Sequence, residues 1–175
     1  MYKEYAVYQP LQRRGVLDAE SIERLRTSSY FTSNSSIFNE MDFEQLKEMN
    51  PRSAADEKKY QKYLAGQQFV ADVLTILEAN RSDLVFMDYS GFEKHRKSLL
   101  GKVEGMSASR LTGIAMVLAV MDKTAVVQKD RKGEIMKDTT TKDTEIIKHT
   151  QDPEQYFEAE VYHHLPEAIR AYEFD

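Results

Sequence analysis

The chain has no cysteine, and only seven glycines and four prolines among its 175 residues. Without thiols there is no disulfide and no thiolate metal site. The glycines are scattered, so no Gly-rich loop can cradle a phosphate. No apolar run is long or continuous enough to span a bilayer. The opening MYKEYAVYQP has no apolar stretch behind a basic end, so it does not read as a secretory signal. The four histidines are His95, His149, His163 and His164, and none forms a metal-ligand pattern with a neighbouring His or acid. The serines sit in loops and caps, with no G-x-S-x-G turn to expose a nucleophile. The expectation is therefore no catalytic, cofactor-binding or metal-binding residue in the chain.

A strong positive charge is missing too. The net charge is -5, and it is unevenly spread. Residues 1–80 carry 10 basic and 12 acidic side chains, residues 81–148 carry 13 and 10, and residues 149–175 carry one and 7. The middle can meet phosphates, but the tail repels them, which argues against general DNA binding. With 41% hydrophobic residues and a mean hydropathy of -0.59, the chain can bury one core. A cytoplasmic protein that meets no membrane is the simple expectation.

Helices dominate what is present. Pro10 and Gly15 break an extended or irregular start, and Asp18 caps a helix to about Arg26 with Ile22 and Leu25 inward. The Ser/Thr/Asn-rich stretch TSSYFTSNSSIFN reads as a loop. Asp42 with Gln45 suggests a capping box for the helix that follows. A long helix is expected over about residues 53–78, capped by Ser53, with Tyr60, Tyr63, Leu64, Val70, Leu74 and Leu77 as its apolar stripe. Gly66 weakens its middle by about 1 kcal/mol relative to Ala, which points to close packing or a bend. LVFM at 84–87 is a strand or an extended lead-in.

Residues 90–138 follow a winged-helix-like order of helix, turn, helix and hairpin. Ser90 with Glu93 suggests a capping box for a helix ending near Gly101, and Ser107 opens a second helix through Leu111, Ile114, Leu118 and Met121. TAVVQK and GEIMKD then read as a β-hairpin turning at Asp130 to Gly133. In a winged helix, Arg110, Lys129, Arg131 and Lys132 would be the DNA contacts. The second helix offers Arg110 alone as a strong base among small and apolar residues, whereas a recognition helix presents several polar side chains to base edges. A structural helical hairpin with a solvated turn fits better. The fold class expected is mainly α with a small β-hairpin, an α+β helical domain. Its parts are residues 1–80, residues 81–148 as helix-turn-helix plus hairpin, and residues 149–175 as a C-terminal helix and tail, together one compact unit.

The last third carries the most specific pattern. After the charged hairpin comes an acidic linker with Asp143, Thr144 and Glu145, then an amphipathic helix with Tyr156, Phe157, Glu160 and Val161, then His164, Pro166 and Ala168. Asp152 can cap that helix, with Pro153 in its first turn and Gln155 completing a capping box, and Pro166 ends it. This order resembles the segment beyond the catalytic domain in the methylation (modification) subunit of type I restriction–modification systems. The resemblance touches most of the chain, including YQPLQRRGVLDAESIERL, and is specific over residues 123–168. It departs at IRAYEFD, where the family often continues with a Trp-Ile-Asp type sequence.

The resemblance implies a non-catalytic accessory segment of a longer DNA adenine-N6 methyltransferase subunit, ending at a boundary within it. Its implied partners are the specificity and restriction subunits, with DNA met through the complex. S-adenosylmethionine is the cofactor implied for the parent enzyme, not for this chain. The family's Gly-containing donor loop and its Asn-Pro-Pro-Phe type motif, which grips the flipped adenine, are both absent. The single Asn-Pro is Asn50–Pro51, followed by Arg52. Two other readings stay open: an independent winged-helix DNA-binding protein, and a helical protein-interaction module.

Overall fold

The computed structural model describes residues 2–172 of the chain. It falls into two units. One joins Met1–Arg13 to Met121–Asp175, and the other is the continuous stretch Arg14–Val120. The three segments read from the sequence cut across this division. Helix makes up 47% and strand 26%, so the class is mixed α+β rather than mainly α.

The Arg14–Val120 unit is helical, with a small antiparallel sheet. Its elements are β2 (Arg13–Leu17), α1 (Ala19–Arg26), α2 (Ser29–Thr32), the two-residue pair β3 (Ser33–Asn34) and β4 (Phe38–Asn39), α3 (Glu40–Glu48), α4 (Ala54–Ala79), β5 (Ser82–Phe86), α5 (Tyr89–Leu100), α6 (Ala108–Leu118) and β6 (Ala119–Met121). The sheet runs in the order β5-β2-β6. Several helices begin where the sequence says they should. Asp18 accepts from Ser21 N at 2.8 Å, Ser53 Oγ from Asp56 N at 3.1 Å, and Ser107 Oγ from Arg110 N at 3.2 Å. Two caps differ: Asn39, not Asp42, opens α3, and Asp88, not Ser90, opens α5. In both, a side chain two or three residues earlier reaches the free N–H groups first.

The stripe of α4 also differs from the expected one. Its buried positions are Tyr63, Gly66, Phe69, Val73, Leu74 and Leu77, while Leu64 is exposed. The helix is rotated so that Gly66 faces the β3–β4 turn. A Cβ there would lie 1.8 Å from the Ile37 carbonyl oxygen, so only glycine allows this approach. Phe31, Ile37, Phe69, Val73, Leu77, Phe92, Ile114 and Leu118 share the core of this unit, and Phe43, Leu46 and Tyr63 form a small satellite cluster. The Ser/Thr/Asn-rich loop is thus partly ordered, as α2, β3 and β4. α6 stops at Leu118, short of Met121, and Arg24 of α1 donates to the Val117 and Leu118 carbonyls at 3.1 and 2.8 Å. That guanidinium caps the end of the helix.

The other unit is built on a sheet. Its strands are β1 (Tyr2–Pro10), β7 (Lys137–Lys148) and β8 (Ile169–Tyr172), and β1 pairs antiparallel with both others, in the order β7-β1-β8. The stretch read as an acidic linker is this long strand β7. Its threonines and Ile146 and Ile147 are β-branched and suit a strand, and its partner β1 comes from the far end of the chain. The expected C-terminal helix is shorter. It comprises α7 (Pro153–Tyr156) and one π-helical turn, Phe157–Val161. Wide π-helical winding sets Phe157 and Val161 on one side, where they pack with Tyr5, Val7 and Ile147.

Candidate functional site

The helices and the turn that a winged helix would join fall in different units: α5 and α6 in one, residues 121–138 in the other. Arg110 stands at the first turn of α6, and its guanidinium is engaged. It donates through Nη1 to Gly105 O and through Nη2 to Ser36 O, both at 2.9 Å, and lies 4.7 Å from the centre of the Phe69 ring. These contacts brace the loop before α6 and the β3–β4 turn against α4. Arg110 also lines a groove of about 430 Å3 beside Lys62, Asp72 and Glu104. Two bases and two acids give that groove no net charge.

Lys129, Arg131 and Lys132 belong to a compact turn in the sheet unit, and all three are exposed. Asp130 organises it. Its carboxylate accepts from Lys132 N at 2.8 Å and Glu134 N at 2.9 Å, and its carbonyl accepts from Gly133 N at 3.0 Å. Gly133 has φ +84°, the positive value this turn requires. The expected hairpin is reduced to a single bridge, Lys129 with Ile135. Arg131 and Lys132 thus project from a fixed backbone with Asp130 between Lys129 and Arg131. The sheet unit brings these three together, and Arg110 belongs to the helical unit.

The residues of the order from Asp143 to Ala168 lie in the sheet unit, where Tyr156, Phe157, Val161 and Ala168 share one apolar cluster. Asp143, Thr144 and Glu145 lie on β7 opposite Val7, Ala6 and Tyr5. The Tyr156 hydroxyl donates to Glu145 Oε2 at 3.0 Å, which pushes the phenol pKa above its usual value. Phe157 sits edge-on to Tyr5, ring centres 5.8 Å apart, and Val161 closes the same cluster. His164 N donates to Val161 O at 3.1 Å, and Ala168 N to Leu165 O at 3.0 Å, so the Pro166 segment turns the chain back toward β8. Glu160 and Leu165 are exposed. The pairing of Tyr156 with Glu145 was not read from the sequence, because it needs β7 to be a strand. Capping of α7 was: Asp152 accepts from Glu154 N at 2.8 Å and Gln155 N at 3.2 Å.

The pattern residues are therefore ladder positions, a buried apolar pair and a turn, with no nucleophile–base pair among them. His163 and His164 have their rings 5.2 Å apart, edge to face, and no group of three metal-ligating side chains occurs among the described residues. No helix among the described residues is long and apolar enough to cross a membrane. No family model, curated protein or solved structure matches this chain.

Proposed function

We propose that the chain is a non-catalytic accessory segment of a type I restriction–modification methylation subunit. It helps that subunit assemble with its specificity and restriction partners and with DNA for adenine-N6 methylation. The observation that carries this reading is the Asp143-Thr144-Glu145, Tyr156-Phe157, Glu160-Val161 and His164-Pro166-Ala168 order. The contact between Tyr156 and Glu145 supports it, because it ties the first two parts of that order together. Residues in such structural roles keep a fold without doing chemistry. The donor loop and the adenine-gripping motif would lie elsewhere in the subunit, so S-adenosylmethionine binds there and not here.

Calorimetric titration of the chain with S-adenosylmethionine, together with a methyl-transfer assay on adenine-containing DNA, tests the non-catalytic part of the reading. The expected result is no heat of binding at micromolar donor and no transfer. Micromolar affinity or measurable methylation by these 175 residues would overturn it. The winged-helix alternative gains no support, since Arg110 donates to the Gly105 and Ser36 carbonyls and stands over Phe69.

A further inference from the structure

Arg96 is the most unusual charged side chain in the helical unit. It lies on α5 with 1% of its surface exposed, and its Nε and Nη1 have no hydrogen-bond partner. A guanidinium removed from water without an acid is costly, and buried charges are ordinarily paired. Here the charge rests on two rings. Its carbon is 4.2 Å from the centre of Phe92, and Nη2 contacts Nδ1 of its neighbour His95. A guanidinium can only donate, so Nδ1 must be the acceptor and His95 the neutral tautomer with its proton on Nε2.

The same pair is stitched to β5. The His95 ring stacks on Phe86, centres 5.1 Å apart at 27°, and Phe86 packs on Phe92 at 5.7 Å. Phe86 is also the β5 residue opposite Gly15 on β2, and a Cβ at Gly15 would fall 2.1 Å from the Phe92 ring. His95 and Arg96 thus close a short stack that holds strand to helix.

We infer that His95 and Arg96 form a proton-sensitive latch between α5 and β5, holding while His95 is neutral and loosening when it takes up a proton. Protonation removes the acceptor of the Arg96 hydrogen bond and sets a second cation beside one that is already unpaired. Charged groups on the elements packed against α5 do not relieve this. On α4, Asp72 bonds Gln68 and Glu78 pairs with Arg26. On α6, Arg110 is taken up by Ser36 and Gly105, and on β5 Asp83 is exposed. On α5 itself Asp88 caps the helix through Ser90 N, Lys94 and Lys97 are exposed, and half-buried Glu93 one turn back leaves Arg96 Nε and Nη1 without a hydrogen bond. Burial first, and then the Arg96 charge, hold the His95 pKa below its ordinary value. Burial also pushes Arg96 down to about 10, which leaves it charged at neutral pH.

The sign follows from linkage. A histidine with a depressed folded pKa binds more protons unfolded than folded, so stability is full at neutral pH. It is lost as pH falls from the unfolded value of 6.5 toward the lower folded value. Amide hydrogen exchange on the whole chain between pH 7.5 and 5.5, compared with His95→Gln, tests the latch. Glutamine keeps an acceptor and does not titrate in this range. The expected result is a severalfold loss of protection over residues 82–100 in the native protein at the acid end, absent in the variant. An equal loss in both proteins would overturn the latch. Should the variant not fold, an NMR titration of the native histidine rings decides instead. Loss of the Phe86 ring contact with Phe92 of α5 in step with the His95 titration supports the latch, and a contact that persists through that titration rejects it.

Discussion

Gly66 sits where α4 crosses the β3–β4 turn, with the Ile37 carbonyl where a side chain would begin. Backbone cannot yield as a flexible side-chain tip does, so Gly66→Ala must push α4 away from Ile37. Overpacking of this kind costs about 1–3 kcal/mol, against a gain of up to about 1 kcal/mol from Ala in a helix. The expected result is a net loss of stability and a lower urea midpoint with an unchanged slope. A variant as stable as the parent would mean that α4 does not pack as described. Sequence already marks this position as a helix-weakening glycine, but not which backbone it meets. Arg110 shows a related limit. As a base on a helix near a basic turn it resembles a phosphate contact, and only the positions of Gly105, Ser36 and Phe69 reveal a brace.

Elements that depend on nearby residues were the ones legible in the sequence. Asp18, Ser53, Ser107 and Asp152 announce their helices because a cap needs only an oxygen and the next turn. β7 was not legible, since its charged and Thr-rich stretch becomes a ladder only beside β1. The bond from Gln9 N to Thr141 Oγ1 spans 132 positions of sequence. The π-helical turn was hidden for another reason. Apolar residues at 157, 161 and 165 look like one α-helical stripe, yet Phe157 and Val161 are buried and Leu165 is 41% exposed. Phe157 is fully buried beneath Tyr5. Phe157→Ala should therefore cost about 3–5 kcal/mol in the sheet unit, whereas Leu165→Ala should cost little. Chemical denaturation of both variants checks the contrast, and equal costs would contradict the burial of Phe157 against an exposed Leu165.

At the scale of the whole molecule, the two ends of the chain close one unit around a sheet, and the continuous middle forms the other. The proposed role rests on the sheet unit, where Glu145, Tyr156, Phe157 and Val161 meet. Each of them has a structural task, and under the proposed role the chemistry of adenine methylation belongs to other residues of the same polypeptide. Mass spectrometry of the native protein, with sequencing of its peptides, tests this most directly. The expected result is a polypeptide longer than 175 residues, with an Asn-Pro-Pro-aromatic motif N-terminal to Tyr2. A native polypeptide that carries no such motif would contradict it.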